Sequence, residues 1–450
     1  MHRLAPRLLS SLTPLTHHIK IACTMAQASS SLASVFTPLS GKLLDDKKTI
    51  DKESFKKQVT FPAVHVDKRL VNKGRKAFKQ SLVHRKKFLN IRDDPADSES
   101  KYLLLNPAKV IDFSSLSDQE RNFLEESGLE KKLHDFETEL TYDNWNPDEV
   151  LRTVMPEGME VPTSFSIIGH IAHLNLREEQ LEYKHVIGQV LLDKNPALRT
   201  VVNKVNEINN EFRFFKMELL AGEDNMVALV REHGASFEFD FSKVYWNSRL
   251  STEHVRIASK LGADDILYDM FAGVGPFAIP AAKRKCTVVA NDLNPESYKW
   301  LTHNAKLNKV QNRVRTCNMD ARQFVVDVVK DDLIAVGKKC RDGNKFNTHV
   351  VMNLPSIAIE FLDVFCNLLK DVPVDLRPYI PLPMMHCHCF SKADDMRQDV
   401  CDRIKEVLHH KDIDNIMVHD VRDVAPNKEM FCATFRLPHD VAFAIDVKGR

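Results

Sequence analysis

Four polar side chains, each at the end of an apolar run, are the residues of this sequence best placed to do chemistry. They are Asp269, Asp292, Asp320 and Asn353. Carboxylate and amide oxygens accept hydrogen bonds, so a group of them can hold the hydroxyl and amino groups of a nucleoside. If the four runs are parallel strands of one sheet, their carboxyl ends meet at one crevice, where such sheets bind ligands. The sequence therefore predicts a binding site built from four strand ends.

A glycine turn follows the first of these runs. Residues 266–268 are apolar, residues 269–277 read Asp-Met-Phe-Ala-Gly-Val-Gly-Pro-Phe, and residues 278–282 have helical character. A strand, a glycine turn and a helix form the corner that cradles a nucleoside or phosphate in a doubly wound α/β sheet. The third glycine of the dinucleotide pattern is missing, and Pro276 has no N–H to offer a pyrophosphate. The turn therefore favours a ligand without a pyrophosphate.

The other three runs are predicted strands at residues 286–290, 314–319 and 348–352. Asp292 follows the glycine turn by about 20 residues, the spacing at which an acidic residue reaches the ribose hydroxyls. Asp320 follows the next strand and is placed to accept a hydrogen bond from an adenine amino group. These positions predict a doubly wound α/β sheet that binds a nucleoside.

Five segments of the chain resemble those of a known family. They are Val-Tyr-Trp-Asn-Ser-Arg-Leu-Ser-Thr-Glu-His at 244–254, the glycine turn at 269–277, Asn-Asp-Leu-Asn-Pro at 291–295, Asn-Leu-Pro at 353–355 and Arg-Asp-Val-Ala-Pro at 422–426. The chain is thereby similar to the archaeal and eukaryotic tRNA (guanine-37-N1)-methyltransferases, which are class I S-adenosylmethionine enzymes. The resemblance extends from about residue 50 to the C-terminus. It implies methyl transfer to N1 of guanosine 37 in the anticodon loop of tRNA.

The implied reaction needs a base, because N1 of guanine carries a proton at neutral pH, and a donor should meet the charge that develops on O6. The target base must also leave the anticodon-loop stack. The resemblance implies that Glu253 is the general base, that Arg213 steadies guanine O6 and that Asn353 lies between the cofactor and the base. The position of Glu253 also has a structural explanation. We predict a helix that begins after Ser251 as the N-cap and runs to Leu261, and an acid in its first turn would complement the helix dipole.

The resemblance also implies which residues contact S-adenosylmethionine. At the methionine or ribose end we expect His254, Asp292 and Leu293. At the adenine we expect Asp320 and Ala321. Further contacts are expected from Asp269, Phe271, Tyr245, Arg249, Asn353 and Pro355.

Four other classes of protein share part of this pattern. A tRNA transferase of the wyosine pathway resembles this family but moves the aminocarboxypropyl group of the same cofactor, and the segment around Glu253 favours methyl transfer. An amino-group methyltransferase would have an aromatic residue after Asn-Pro-Pro, whereas Ser356 follows Pro355 here. A nicotinamide dehydrogenase would have the third glycine. A non-catalytic RNA-binding module would not need the ordered polar strand ends.

The segment Met-His-Cys-His-Cys-Phe at 385–390 has the residue types of a tetrahedral metal site. On a strand, however, alternate side chains point to opposite faces, so His386 and His388 would point away from Cys387 and Cys389. Four consecutive strand residues cannot enclose one zinc ion. We therefore predict no metal site, but a buried strand with closing strands at 416–421 and 431–437.

The composition limits the architecture and the partners. A chain of 450 residues is long enough for two or three domains. Its 63 Lys and Arg residues and 62 acids give a net charge of +1, so a tRNA site must be a local patch. Nine cysteines without a CxxC pair are typical of free thiols in a reducing compartment. No apolar run reaches the ~20 residues that span a bilayer, so we expect a soluble protein, and a monomer.

The N-terminus has the composition of a mitochondrial targeting peptide. Its first 44 residues contain no acid but include Arg3, Arg7, Lys20 and many Ser and Thr residues. A merely disordered tail is the alternative. Met25 could serve as a second start. We therefore expect a protein of the mitochondrial matrix, with a nuclear or cytoplasmic pool if the Met25 start is used.

Four segments are predicted along the chain. They are a targeting peptide or disordered segment (1–45), an N-terminal tRNA-binding domain (46–155), a second small α/β domain (156–240) and a methyltransferase domain (241–450). Residues 68–87 are rich in Lys and Arg, which indicates either a solvated helix face or a phosphate-binding patch. Residues 92–150 are acidic and predicted to be helical, with the clearest periodicity at 120–133.

Overall fold

The structure is a computed structural model that describes residues 38, 42–44 and 49–444, except for 163, 206–215 and 414. The chain divides into two compact units. The first reaches Phe165 and adds Leu176–Pro196 and Leu220–Gly222. The second comprises Ser166–Asn175, Ala197–Leu219 and the chain from Glu223. The finer division into four segments stays a prediction.

The first unit is built on a four-stranded antiparallel sheet. The unit contains the strands β1 (Lys42–Leu44), β2 (Thr49–Asp51), β3 (Lys57–Asp67), β4 (Ile91–Asp93), β5 (Ser100–Leu104) and β6 (His134–Leu140). The order in the sheet is β4-β5-β3-β6, and β1 pairs separately with β2. Its helices are α1 (Val71–Ala77), α2 (Asp118–Glu126), α3 (Pro147–Val154) and α4 (Lys184–Lys194).

The prediction that residues 92–150 are helical is wrong in part. Strands β5 and β6 lie in this range, and α2 ends at Glu126 rather than near residue 133. In β6, half-buried and exposed residues alternate along the strand, which is the period of a strand and not of a helix. The acidic composition concealed that alternation. The start of α2 is a capping box, in which Ser117 and Glu120 satisfy each other's backbone N–H groups.

The second unit begins with a small sheet of order β10-β9-β8-β7. Its strands are β7 (Ser166–Ile168), β8 (Ile171–Leu174), β9 (Thr200–Val205) and β10 (Lys216–Gly222), of which the last three residues are assigned to the first unit. Strands β7 and β8 pair antiparallel about Gly169. A hairpin of β11 (Val227–Glu232) and β12 (Ala235–Asp240) follows.

A seven-stranded sheet carries the predicted site. Its strands are β13 (Ile266–Asp269), β14 (Thr287–Asn291), β15 (Val314–Cys317), β16 (Thr348–Met352), β17 (Met384–Ser391), β18 (Met417–Ala425) and β19 (Lys428–Arg436). The order is β15-β14-β13-β16-β17-β19-β18. Strands β13 to β17 are parallel, and β19 is antiparallel to both neighbours. From β13 the chain adds β14 and β15 on one side of this strand and β16 and β17 on the other. Such a change of side is the switch point at which doubly wound sheets bind ligands.

Helices cover both faces of this sheet. They are α5 (Ser251–Ser259), α6 (Ala278–Lys283), α7 (Pro295–Leu307), α8 (Ala321–Phe324), α9 (Lys330–Arg341), α10 (Met396–Val407) and α11 (His439–Phe443). A π-helical turn, Val325–Val329, joins α8 to α9. Every residue of β13 and β16 is buried, as expected for central parallel strands with both faces covered. Short 3₁₀ turns occur at Lys52–Phe55, Lys68–Leu70, Phe113–Ser115, Tyr142–Asn144, Glu178–Tyr183, Ser248–Leu250, Ala358–Phe365 and Arg377–Tyr379.

The strand at residues 384–391 has the two-faced character that was predicted. Cys387 and Cys389 lie in the core on one face of the sheet, beside Met352 and Phe431. His386 and His388 are buried on the opposite face. The four residues therefore do not share one site.

In the described part of the chain, no helix has both the length and the apolar character needed to cross a membrane.

Candidate active site

The four polar residues of the predicted site lie at the carboxyl edge of the seven-stranded sheet. Asp269 is the last residue of β13, and Asp292 and Asn353 directly follow β14 and β16. Asp320 is the third residue after β15. Asp269 is in register with Ala290 of β14 and Val351 of β16. Each of these partners is one residue before the end of its strand, so the three strands end at nearly the same level. The structure thus places all four groups along one edge.

The glycine turn adopts backbone conformations that other residues rarely reach. Gly273 has φ of 53°, and a Cβ added there would meet no atom within 4 Å, so its backbone faces open space. Gly275 has φ of 101°, and a Cβ there would come within 2.9 Å of Ile279 and Leu301. The first glycine therefore leaves room over the turn, and the second lets α6 and α7 pack closely.

Asp269 is fully buried, and neither carboxylate oxygen has a hydrogen bond of normal geometry among the described residues. Burial raises the pKa of Asp269 to about 8, although the nearby Phe271 N–H favours the ionised form. A buried polar group without a partner is costly, so its position at the carboxyl edge of the sheet indicates a ligand that supplies the partner. A cationic group beside Asp269 would restore its ionised form.

Asp292 links the second strand to the glycine turn. Its Oδ2 accepts the Gly273 N–H at 2.7 Å, and its Oδ1 accepts the Asn294 N–H at 2.9 Å. Burial raises the pKa of Asp292, and these two backbone hydrogen bonds oppose the rise. Leu293, expected beside it at the cofactor, is 42% exposed. Asn294 caps α7 by accepting the Glu296 N–H, with Pro295 at the first helical position.

The third strand end is shaped by a helix start. Asp320 is exposed, and its Oδ1 accepts the N–H groups of Arg322 at 2.8 Å and Gln323 at 3.2 Å, which caps α8. Its other oxygen accepts no hydrogen bond from α8. Ala321 is buried at the first position of the helix, and Phe271 packs edge-on against Phe361 with ring centroids 5.1 Å apart.

Asn353 is half-buried, and its Oδ1 is a second buried acceptor without a hydrogen-bond partner among the described residues. The loop that follows is joined to β17, because the Pro355 carbonyl accepts the Phe390 N–H at 3.0 Å. Like Asp269, Asn353 therefore presents a buried oxygen that a ligand donor can satisfy.

Glu253 lies in the first turn of α5 and is buried, with 3% of its surface exposed. Arg256, one turn further on, donates from Nε to Oε2 at 2.5 Å and from Nη2 to Oε1 at 2.7 Å. His388 of β17 donates from Nε2 to Oε1 at 2.7 Å. Burial raises the pKa of Glu253, but these hydrogen bonds outweigh burial and hold the pKa at about 2. The carboxylate is ionised at neutral pH.

Among the described residues, the hydrogen-bond donors to Glu253 leave one acceptor position of its carboxylate open. An ionised carboxylate has about four lone-pair sites, two on each oxygen. Arg256 and His388 fill both sites of Oε1, and Arg256 fills one of Oε2. The remaining site on Oε2 can accept one proton. A base held in this way has a fixed direction, although its low pKa makes it a weak base in the free protein.

The prediction that Ser251 is the N-cap of this helix is wrong. Ser251 is the first residue of α5 itself, and the residue before it, Leu250, makes no side-chain capping bond. Asn247 instead caps a preceding 3₁₀ turn, Ser248–Leu250, by accepting the Arg249 N–H at 3.1 Å. The turn runs directly into α5, so the capping side chain lies four residues earlier than expected.

His254 is buried away from solvent, beside the glycine turn. Its Nδ1 is 2.7 Å from Oε1 of Glu232 in β11, and its ring packs edge-on against Phe277 at 4.9 Å between centroids. A direct cofactor contact from His254 stays a prediction.

Tyr245 and Arg249 line a separate cavity of about 330 Å³, which contains none of the strand-end residues. Tyr245 is 55% exposed, and Trp246 beside it stacks on Phe239 with ring centroids 4.9 Å apart. The other lining residues are Ser166, Ile168, His173, Lys204, Met217, Phe241, Val244, Asn247, Ser248 and Arg422. Its volume is at the lower end of the range for small-ligand pockets, and its lining combines aromatic rings with cations.

Arg213 lies outside the described residues, so its predicted contact with guanine O6 stays a prediction. The described strands on either side of its segment, β9 and β10, contribute Lys204 and Met217 to the cavity lining.

Arg256 and His388 are partners of Glu253 that the sequence analysis missed. Arg256 could have been found, because residues three apart on a helix are neighbours and an acid and a base there form an ion pair. His388 could not be found from spacing, since it is 135 residues away along the chain.

The sheet order, the glycine turn and the polar strand ends define a class I S-adenosylmethionine-dependent methyltransferase. The unpartnered oxygens of Asp269 and Asn353 and the open space over Gly273 fit such a cofactor, which carries an amino group and ribose hydroxyls. Comparison with known proteins identifies the family within this class. The chain belongs to the tRNA (guanine(37)-N(1))-methyltransferase family.

Two family models match the chain. The TRM5/TYW2 methyltransferase domain matches residues 228–416, and the TYW2 N-terminal domain matches residues 148–225. The tRNA (guanine(37)-N(1))-methyltransferase of Xenopus tropicalis is 47% identical over 394 residues, which are 88% of this chain and 79% of the relative. The human enzyme of that name is 47% identical over 88% of this chain and 77% of its own. The one from Danio rerio is 43% identical over 97% of this chain and 91% of its own.

Solved structures show the same fold. The crystal structure of Trm5b from Pyrococcus abyssi is 24% identical, covers 84% of this chain and 99% of its own, and has a TM-score of 0.56. The structure of aTrm5 in complex with tRNALeu is 22% identical, covers 84% of this chain and 100% of its own, and has a TM-score of 0.58.

Proposed function

We propose that this protein transfers a methyl group from S-adenosylmethionine to N1 of guanosine 37 in tRNA, with Glu253 as the general base. The activity is that of the family, whose relatives from Xenopus tropicalis, human and Danio rerio carry this name. The observation that supports the assigned base is the buried, ionised carboxylate of Glu253 with one open acceptor position. It is joined through His388 to the strand beside Asn353, at the carboxyl edge of the sheet.

The base works by accepting the N1 proton on Oε2 of Glu253 as the new N1–carbon bond forms. The electron pair of the N1–H bond stays on guanine and spreads towards O6, where a cation stabilises it. We assign that cation to Arg213. Binding of guanine in a dry site would also strip the carboxylate of any remaining water, which strengthens it as a base.

The cofactor, when bound, would supply a methyl group activated by a sulfonium, and the electron pair of the broken sulfur–carbon bond would stay on sulfur. Asp269 and Asp292 would hold its amino group and ribose, Asp320 and Ala321 would flank the adenine, and Asn353 would lie between the cofactor and the guanine. His254, Leu293, Phe271 and Pro355 are assigned to the walls of this site. These groups bind and orient, while proton transfer falls to Glu253.

We assign a nucleotide next to the acceptor base to the cavity lined by Tyr245 and Arg249, which contains neither Glu253 nor a strand-end residue. An unstacked base can stack on an aromatic ring, and cations can pair with the phosphates on either side of it. Tyr245 provides an exposed ring, and Lys204, Arg249 and Arg422 provide the cations.

Aminocarboxypropyl transfer from the same cofactor is the alternative activity. Both matching family models include TYW2 in their names, so the models alone do not separate the two. The relatives from Xenopus tropicalis, human and Danio rerio support methyl transfer. Mass mapping of nucleosides from tRNA incubated with the protein and the cofactor tests this directly. We expect 1-methylguanosine at position 37, and an adduct with the mass of the aminocarboxypropyl group would overturn the proposal.

A patch on α1 is the proposed tRNA contact of the first unit. Lys73, Arg75, Lys76 and Lys79 are exposed, and no ion pair is formed by them among the described residues. Other cations of the same stretch are paired: Arg69 with Asp67, Arg85 with Glu149 and Lys87 with Asp143. The unpaired cations support a patch on this helix and the turn after it, within the predicted range of residues 68–87.

Neutralising Lys73, Arg75 and Lys76 together with glutamine should weaken tRNA binding and flatten its salt dependence. For each phosphate that is no longer neutralised, the slope of log K against log salt should become shallower by about 0.7 to 0.9. A matched control replaces Lys338, Lys339 and Arg341, which are exposed in the last turn of α9. That turn precedes β16 and so lies at the sheet edge opposite the site. An equal weakening in both variants would contradict a patch on α1.

We further propose that the protein acts as a monomer without a metal ion, and that it resides in the mitochondrial matrix with a nuclear or cytoplasmic pool. One chain carries every group assigned a role. The acid-free, basic composition of residues 1–44 supports import. Reporter fusions starting at Met1 and at Met25 test whether residues 1–24 carry the import signal, and equal mitochondrial signal from both fusions would contradict that role.

A further inference from the structure

His388 is a fully buried histidine at the carboxyl edge of the sheet. In the parallel pair of β16 and β17, Cys387 is in register with Met352, the last residue of β16. His388 is the next residue of β17, so it is level with Asn353, the residue that follows β16. Its Nε2 donates to Glu253 at 2.7 Å, and its Nδ1 has no hydrogen-bond partner of normal geometry among the described residues. Its ring packs on Phe277 of the glycine turn with centroids 5.4 Å apart. Among the described residues, the side-chain hydrogen bond of normal geometry that His388 makes is therefore the one to Glu253.

Arg256 cannot do what His388 does. Arg256 and Glu253 are three residues apart on α5, so their ion pair moves with the helix and does not locate it. His388 belongs to a different element, the strand that forms the edge of the site. Its hydrogen bond is the one that sets the position of the carboxylate relative to Asn353 and the neighbouring strand ends.

We propose that His388 is a positioning residue for methyl transfer: it holds the Glu253 carboxylate against the sheet so that the open acceptor position of Oε2 faces the guanine. The role rests on the proposed function of Glu253 as the base. His388 acts through that carboxylate and does not itself need to touch the substrate. It also keeps the carboxylate ionised, because a donor to a carboxylate stabilises the charged form.

Several titratable groups surround this pair. Burial lowers the pKa of His388, but Cys432 and the Glu253 carboxylate raise it to about 10. The other charged or titratable groups that influence His388 or Glu253 from neighbouring elements are Arg256 on α5, Asp269 on β13, His386 on β17 and His419 on β18. A change in the pH–rate profile of a His388 variant could therefore arise from any of these groups. A double substitution of His388 and Glu253 shows whether it arises from Glu253.

A metal ion is the competing explanation for this cluster. The ligand atoms of Glu253, His388 and Cys432 lie within 4.8 Å of one another and are of types that bind zinc. However, the Arg256 guanidinium donates to both oxygens of Glu253, and a metal cation there would meet a fixed positive charge. The hydrogen-bonded ion pair accounts for the arrangement without an ion.

The test compares two variants of the full-length protein in single-turnover methylation of tRNA. His388→Phe keeps a ring but removes the donor, and His388→Gln keeps an amide donor near the place of Nε2. We expect His388→Phe to slow methyl transfer by about 10- to 100-fold, the range for losing a hydrogen bond to a charged group, and His388→Gln to restore most of the rate. The acid limb of the pH–rate profile should move to higher pH in His388→Phe, because Glu253 loses a donor that lowers its pKa.

The double substitution identifies the route of the effect. In a Glu253→Gln background, His388→Phe should change the rate by less than about 2-fold, because the group through which it acts is already gone. Calorimetric binding of S-adenosylmethionine should be the same in His388→Phe and wild type, which shows that the variant is folded. Cys432→Ala should retain the wild-type rate, and chelators should have no effect.

Three outcomes would overturn the inference. A wild-type rate and pH profile in His388→Phe, with Glu253→Gln slow, would refute the positioning role and leave the base in place. Equal slowing by His388→Phe with and without Glu253 would show that His388 acts independently. Loss of activity in Cys432→Ala together with inhibition by chelators would assign the cluster to a metal. A wild-type rate in Glu253→Gln would instead refute the proposed base itself.

Discussion

Replacing Glu253 with glutamine should slow methyl transfer by about 10² to 10⁴ in single-turnover experiments, the range for loss of a general base. Glutamine has nearly the same size and retains one acceptor oxygen, but it cannot take a proton as a carboxylate does. Because solvent can remove the N1 proton at higher pH, raising the pH should partly restore the rate of the variant. Affinities for tRNA and for S-adenosylmethionine should change little.

Stability must be separated from chemistry in this variant. Arg256 and His388 lose their charged partner, and breaking a buried ion pair typically destabilises by about 3 to 5 kcal/mol. Because the pKa of Glu253 is lowered in the folded state, its contribution to stability is present above pH 4.5 and lost as the pH falls towards 2. Wild type and variant should therefore differ in thermal stability at neutral pH and converge in acid.

Asp265→Asn is a matched control for Glu253→Gln. Asp265 is also a buried carboxylate, accepting from the Gly262 N–H at 2.7 Å and lying 3.5 Å from His349, but it precedes β13 at the opposite edge of the sheet. The Asp265→Asn variant should be less stable than wild type, and its rate of methyl transfer should be unchanged. If Glu253→Gln is as active as this control at neutral pH, Glu253 is a helix-dipole partner and not the base.

Replacing Asp269 with asparagine should stabilise the protein without cofactor and weaken cofactor binding. The pKa of Asp269 is raised to about 8 in the folded state, from an ordinary value of 3.8. The unfolded chain ionises this group first, so wild type loses stability as the pH rises from about 4 to about 8, by up to about 1.4 kcal/mol per pH unit. Asparagine does not ionise, so the advantage of the variant should grow over that range.

Unfolding measured at pH 5 and pH 8 without cofactor tests the first part. We expect the difference in unfolding free energy between Asp269→Asn and wild type to increase by about 4 kcal/mol between these pH values. Calorimetry tests the second part: cofactor affinity should fall by about 10- to 100-fold at pH 8, as for loss of a hydrogen bond to a charged group. A pH-independent difference in stability would show that Asp269 is already satisfied in the free protein.

The strand ends and the glycine turn were predictable because their signals are local. The central strands of a parallel sheet are buried on both faces, so they are largely apolar, as in Thr348–Met352, and the polar residues of the site begin where they end. The turn needs glycine where φ is positive, and Asn294-Pro295 marks a helix start by capping and by a fixed φ. Each signal occupies a few consecutive residues.

Tertiary structure alone decided the surroundings of the base. That Glu253 is ionised, buried and held by His388 depends on the packing of α5 against the sheet and on the register of β17 beside β16. The histidine that the sequence analysis examined as part of a metal set thus became the partner of a carboxylate 135 residues away. No local pattern specifies such a contact, because each partner's sequence neighbourhood is satisfied by its own helix or strand, and only the assembled layers bring the two side chains together.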